Sequence, residues 1–346
     1  MYEILSFFLD CTRGAPFSFT FGDFTKNFHG VRSMLMHLIE YSAQWEEVSV
    51  QLQTLVVFLQ CTRGRLPLLK KLEITEATFY QLMHRGESMQ GIDAPHLTHV
   101  ILWENSPLLQ FNWSSLTVIR FHYTMRPERI LAALRETINL VELTAEHYMN
   151  TGGDILINLP HLECLSVSGV GLLTVLETPA LRRLKVAFDK GPDDAGVTSS
   201  FLRRSKIKLS TLVVKDTRAA TVKEILPSAP EVNDLGLICV QDVANVFEWL
   251  AETGEREFQI NRLSVIWHEF VIIHPDPVEE GLPALYDMIA RRNPLDDARS
   301  PSPKEVIIQK ALRGQSVAAN LKSMCRNMGV RLGFAGEMPT LSWGIE

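Results

Sequence analysis

The side chains in this sequence that could do chemistry come in pairs, and no pair has a third member. His96 and His99 stand three apart and His268 and His274 six apart. Neither pair has a cysteine or carboxylate at the spacing a metal site uses, so surface or hydrogen-bonded histidines are expected and no metal. Glu142 and Glu146 could form an acid and base pair. On a strand, however, any even separation puts two side chains on one face, and a solvated face is the reading expected here. Gly169-Val170-Gly171 lacks the third glycine of a dinucleotide-binding loop and fits a strand-to-helix turn. No G-x-S-x-G, H-E-x-x-H or P-loop pattern occurs. The five cysteines, Cys11, Cys61, Cys164, Cys239 and Cys325, are odd in number and far apart. They read as small buried hydrophobes in a reducing compartment. The expectation is therefore a binder rather than an enzyme, with no catalytic residue and no cofactor.

The elements that would position a binding surface are marked by a repeat. An apolar hexad of the form L-x-x-L-x-L starts at Leu69, Leu97, Leu116, Leu140, Leu162, Leu181 and Leu209, at spacings of 19 to 28 residues. Weaker copies start at Trp45, Val232, Ile260 and Pro303. A leucine period of this length marks a leucine-rich-repeat solenoid, in which each unit buries its apolar face against its neighbours. Proline stands two residues before the hexad at Pro67, Pro95, Pro160, Pro179 and Pro230, where it stops a helix and biases the chain toward a strand. Helical spacing fills gaps at Pro127–Arg135, Ala219–Leu226, Asp242–Thr253 and Leu282–Arg292. The predicted fold is an irregular, right-handed α/β leucine-rich-repeat solenoid, with a parallel sheet on the concave face and helices on the convex face. Residues 1–334 form one domain with a loop insertion at 293–304, and 335–346 form a tail. An ordinary doubly wound α/β domain is the other architecture this alternation allows.

Within each hexad, positions four and six point into the core, so positions three, five and seven face outward. That rule exposes His99, Ile101 and Trp103 on one strand, Val118, Arg120 and His122 on the next, then Glu142, Thr144 and Glu146. Arg183 and Lys185 follow, with Thr211, Val213 and Lys215 beyond them. Ile101, Trp103 and Val118 rimmed by Arg120 and Glu142 have the composition of a protein-binding hot spot. A net charge of −6 with both signs interspersed disfavours a nucleic-acid partner. No apolar run of about 18 residues spans a membrane, and Met1–Asp10 lacks the basic start of a signal peptide. A cytoplasmic or nuclear protein is expected.

Several blocks resemble a known family. Leu9-Asp10-Cys11-Thr12-Arg13-Gly14-Ala15-Pro16-Phe17, Trp113-Ser114-Ser115-Leu116-Thr117, Glu177-Thr178-Pro179-Ala180-Leu181, Phe201-Leu202-Arg203-Arg204-Ser205 and Leu282-Pro283-Ala284-Leu285 are similar to recurrent blocks of one group. These are the leucine-rich-repeat portions of F-box-like proteins abundant in mushroom-forming fungi, and the similarity runs from Tyr2 to Phe334. The resemblance implies substrate recognition for a ubiquitin ligase of the Skp–cullin–F-box type. A stand-alone interaction scaffold unconnected to ubiquitin is the other reading. The family's F-box, with its L-P-x-E-like start, is not found in this sequence, so a Skp-type adaptor is an expected partner only where an F-box lies upstream.

The insertion carries two consecutive Ser-Pro steps, Ser300-Pro301 and Ser302-Pro303, beside Arg299 and Lys304. Both serines are candidates for a proline-directed kinase, whose phosphate would add close to two negative charges there. Phosphopeptide mapping of the chain from its native cell should recover phosphate on one of them; repeated coverage without phosphate would leave an ordinary surface loop.

Overall fold

A computed structural model describes residues 2–12, 14–21, 28–75, 91–103, 111–122, 127–146, 156–188, 194–253, 258–266, 277–292, 303–309, 322–323 and 325–334. They divide into two units, Met1–Leu162 and Glu163–Glu346.

In the first unit a helix, α1 (Tyr2–Cys11), leads into strand β1 (Phe17–Phe21). Helix α2 (Phe28–Glu40), strand β2 (Trp45–Gln51), helix α3 (Leu52–Thr62) and strands β3 (Lys71–Thr75), β4 (His99–Leu102) and β5 (Val118–Phe121) follow. Helix α4 (Pro127–Glu136), strand β6 (Glu142–Ala145) and a two-residue strand β7 (Ile157–Asn158) complete it. Strands β1 to β6 pair in chain order, and every pair is parallel. The fourth hexad positions stand in register, Leu72 opposite Val100, Val100 opposite Ile119 and Ile119 opposite Leu143, and all four are fully buried.

The second unit repeats the scheme with strands β8 (Cys164–Ser168), β9 (Leu176–Glu177), β10 (Arg183–Ala187), β11 (Thr211–Lys215), β12 (Asp234–Ile238), β13 (Arg262–Ile266), β14 (Glu305–Gln309) and β15 (Arg331–Phe334). Apart from β9, consecutive strands of this unit pair in parallel, which aligns Leu165, Leu184, Leu212, Leu235, Leu263, Val306 and Leu332. Between them lie helices α5 (Asp194–Arg204), α6 (Ala219–Ile225), α7 (Val243–Thr253) and α8 (Pro277–Arg292). Three predicted helices match within a residue or two. Helix α8 begins at Pro277, earlier than Leu282, and carries Pro283 inside it.

The helices bury one stripe each. In α4 the stripe is Ile130, Ala133 and Leu134; in α7 it is Val243, Val246, Phe247 and Leu250. Both follow the three- and four-residue spacing that puts apolar groups on one helical face. The α8 stripe of Leu285, Met288 and Ile289 ends in buried Arg292, which donates to the Leu250 and Phe258 carbonyls at 3.0 and 3.1 Å. In the first unit Trp45 takes the leucine position, fully buried, with its ring 4.7 Å from that of Phe58 on α3. The helices therefore cover the face of the sheet that carries hexad positions four and six.

The prolines do more than end helices. Each sits second in a hydrogen-bonded turn: Leu69, Leu97, Leu162, Leu181 and Val232 donate their N–H groups to Leu66, Ala94, Leu159, Thr178 and Ala229 at 3.1–3.2 Å. Proline suits that position because its ring presets the φ the turn needs. Cysteine behaves less uniformly than expected. Cys164 and Cys325 are buried, but Cys11 and Cys61 are exposed, because each lies at the solvent end of its helix rather than on the packed stripe. Burial pushes the Cys325 thiol up to about 11.

The repeated Cys-Thr-Arg-Gly tetrapeptide does end helices in left-handed geometry, and at its second copy Arg63 as well as Gly64 has positive φ, 53° and 72°. The Gly64 N–H closes the helix onto the Leu59 carbonyl at 3.0 Å. A β-carbon on Gly64 would collide with the Gly91 carbonyl oxygen, which no side-chain rotation can relieve. Gly64→Ala should therefore destabilise by clearly more than the ~1 kcal/mol of left-handed strain alone, read as a lower urea midpoint. Leu184→Ala, which empties a place in the aligned column, should cost about 2–5 kcal/mol; a loss below ~1 kcal/mol would mean that the column is not a packed core.

Candidate functional site

On β3 to β6, positions three, five and seven of each hexad lie on the face opposite the helices. Register sorts them into rows. The first row runs Lys71, His99, Val118, Glu142 and the second Glu73, Ile101, Arg120, Thr144. The third row continues the ladder: Trp103, His122 and Glu146 donate their backbone N–H groups to Ile74, Leu102 and Phe121 at 3.0, 2.8 and 3.0 Å. Strands spaced about 4.8 Å apart bring row neighbours within side-chain reach.

The side chains of this face hold one another. The Trp103 indole N–H donates to Glu73 Oε1 at 2.9 Å, and its ring stacks on His122 with centroids 4.4 Å apart and planes at 24°. His122 Nδ1 in turn lies 3.4 Å from Glu146 Oε2. Arg120 reaches Glu142 Oε1 through Nε at 3.2 Å and Nη2 at 3.0 Å, with both side chains about 15% exposed. At the row's other end Lys71 stands 3.9 Å from Glu47. The result is a line from Glu73 through an indole and an imidazole to Glu146, beside a separate Arg–Glu pair.

Ile101 corrects the sequence expectation. It is only 8% exposed, not part of an open apolar patch, because Glu73 and Arg120 flank it across the strands and His99 and Trp103 along its own. Thr144 is buried at the same level of β6, as is Val213 in the second unit, and Thr211 is buried at position three of its hexad. Trp103, Val118, Arg120, His122, Glu142 and His99 are half-buried rather than open. The apolar part of the surface is thus the indole and Val118, framed by charge. The sequence reading passed over Glu73, although the same alternation rule places it at position five of LKKLEI.

Glu142 and Glu146 bind different partners and stand four residues apart on one strand, about 13 Å at the usual rise, too far for two carboxylates to share one bond. His99 Nδ1 lies 2.8 Å from the Thr98 hydroxyl. Burial pushes its imidazole below the usual 6.5, Lys71 adds to the shift, and Glu142 opposes it. His268 and His274 lie outside the described residues, and among the described ones no three metal-binding side chains converge.

Arg183 and Lys185 belong to the second unit, on β10. Arg183 is exposed and its Nε lies 3.0 Å from the buried Cys164 sulfur, while Lys185 is half-buried in register with Ser166 and Val213. Further along this face Arg262 pairs with Glu305 at 2.7 Å. Burial raises the Asp234 carboxyl above its ordinary 3.8 beside that pair. Ser300 and Ser302 lie outside the described residues. Among the described residues no helix is long and apolar enough to cross a membrane.

No protein-family model matches this chain, and no curated protein does. Among solved structures it is similar to the leucine-rich-repeat-containing protein LegL7 from Legionella pneumophila, at 8% identity and a TM-score of 0.42, over 94% of this chain and 99% of that one. A likeness at that score carries no argument about the present chain.

The lowered His99 value has a measurable consequence. Just below pH 6.5 the unfolded chain takes up a proton that the folded chain refuses, so stability falls as pH drops through that range. Urea midpoints at about pH 7.5 and about pH 5.5 should converge in His99→Asn relative to the wild type. Equal pH sensitivity in both proteins would show that His99 is not the group involved.

Proposed function

We propose that this chain is a non-catalytic protein-binding module whose partner docks on the face of β3 to β6 opposite the described helices. The observation that carries it is the Trp103 indole, half-exposed yet fixed in place by Glu73 and His122. A rigid aromatic ring with a polar rim gives large contact area with little ordering cost on binding. Within each unit the parallel, in-register strands and the 19 to 28-residue hexad spacing support reading it as a right-handed leucine-rich-repeat array. A finer assignment, substrate recognition for an F-box-type ubiquitin ligase, rests on the sequence blocks that resemble that family. Of those blocks, Trp113-Ser114-Ser115-Leu116-Thr117 forms the turn before β5 and belongs to packing, so the finer assignment needs its own evidence. Co-purification of a Skp-type adaptor with a version of the protein that includes an upstream F-box would supply it; a scaffold unrelated to ubiquitin would not retain the adaptor.

The test of the binding face is Trp103→Ala. It should weaken partner capture by about 2 kcal/mol or more, measured by titration calorimetry against a captured partner, while the variant still unfolds cooperatively. Loss of folding would make the indole a core residue. Full-strength capture by a folded variant would move the site to the turns at the strand ends.

A further inference from the structure

The same face shows an imbalance of charge that points to the partner's chemistry. The described residues of β2 to β6 place four carboxylates on it, Glu47, Glu73, Glu142 and Glu146, against two permanent cations, Lys71 and Arg120. Arg120 is taken by Glu142 and Lys71 stands nearest Glu47. Glu73 and Glu146 have no permanent cation within ion-pair distance among the described residues. The first accepts from the neutral indole of Trp103, and the second sits 3.4 Å from the His122 imidazole. Between these two carboxylates lies the stacked indole–imidazole pair, whose π-faces attract cations. Beside Glu146 the Thr144 hydroxyl is buried and has no hydrogen-bond partner among the described residues.

We infer that the face receives an extended, basic peptide segment that crosses the strands and places one cationic side chain at Glu73 and a second at Glu146. The inference rests on the reading of this face as a protein-binding surface and names the partner's chemistry. The spacing follows from the sheet. Glu73 on β3 and Glu146 on β6 are three strands apart, about 14–16 Å at a strand separation of about 4.8 Å with the offset along the strands. An extended chain rising about 3.3 Å per residue covers that span in four or five residues. Both cationic side chains must face the sheet, so the segment carries two Arg or Lys residues four apart, with an apolar residue midway between them over Trp103. Arginine suits both ends, since its planar guanidinium can stack on the rings and bind a carboxylate at once. Phosphate-bearing partners such as nucleic acid or anionic lipid fit poorly, because the uncompensated groups are carboxylates.

The test is an array of synthetic peptides probed with the purified full chain. Arginine pairs two to seven residues apart are set in a Gly-Ala-Leu background, with glutamate and uncharged versions as controls. Pairs four apart should bind best and odd separations worse, glutamate versions should not bind, and about 0.5 M salt should remove most of the signal. Replacing Glu73→Gln and Glu146→Gln together, which keeps the hydrogen-bond acceptors but removes the charge, should lower binding at least tenfold with an unchanged melting temperature. Glu146→Gln alone, at a side chain 42% exposed, carries the same comparison if the double variant does not fold. Binding that ignores the arginines, or that survives the charge removal in a folded variant, overturns the basic-segment inference. If such binding is still lost in Trp103→Ala, the protein-binding face itself stands. Binding that also survives Trp103→Ala overturns both, and a folded chain that binds no array peptide overturns the inference.

Discussion

One backbone contact recurs through both units and sets everything outside the core. The carbonyl at the second position of a hexad accepts the N–H groups of the second and third positions of the next. Lys70 accepts from Thr98 and His99, Thr98 from Thr117 and Val118, and Thr117 from Val141 and Glu142, all at 2.8–3.0 Å. In the second unit the same pairs of donors reach Glu163, Arg182, Ser210, Asn233 and Asn261. A one-residue slip would break both bonds and turn every leucine of the strand toward the wrong face. Register is thus fixed twice, by this contact at the strand start and by the aligned aliphatic column beneath it.

Fixed register decides which side chains meet on the face opposite the described helices. With parallel strands about 4.8 Å apart, each residue in the middle row has close neighbours on four sides. Most places in that row take small, hydroxyl or aliphatic groups that tolerate enclosure, Ile101 and Thr144 in the first unit and Ser166, Val213, Ser264 and Ile307 in the second, while Glu73, Arg120 and Lys185 fill others with long chains that reach out of it. Val213 leans over Gly236, whose added β-carbon would lie 3.1 Å from a Val213 methyl. Charged groups stand in the outer rows, as Glu142 and Glu146 do, or, like Arg120 in the middle row, reach sideways to a partner there. The Trp103–His122 stack forms because the same register sets an indole beside an imidazole on the next strand.

Much of this was legible from spacing alone. The hexads gave every long strand from β2 onward except β15, which shows only as a closing apolar stretch, and the proline positions marked five of the turns that start them. Alternation within a hexad correctly placed Trp103, Arg120, His122, Glu142 and Glu146 together on one face. It could not tell open from enclosed positions, since that depends on neighbours across strands, and Ile101 was misjudged for that reason. The Glu73–Trp103 hydrogen bond joins residues 30 apart in sequence, and only the β3–β4 register makes them adjacent. Exposure of Cys11 and Cys61 likewise depends on which helical face turns inward, and apolar helix sequences such as α1 do not reveal it.

The account stands or falls on whether ligand engages the fixed rows rather than the helices, and amide hydrogen exchange read by mass spectrometry on the full chain, with and without a bound arginine-pair peptide, measures this directly. The hexads should be the slowest-exchanging segments of the free chain, and peptide should slow residues 69–75, 97–103, 116–122 and 140–146 further while α3 and α4 stay as they were. Slowing confined to the helices, with those four segments unchanged, would contradict it.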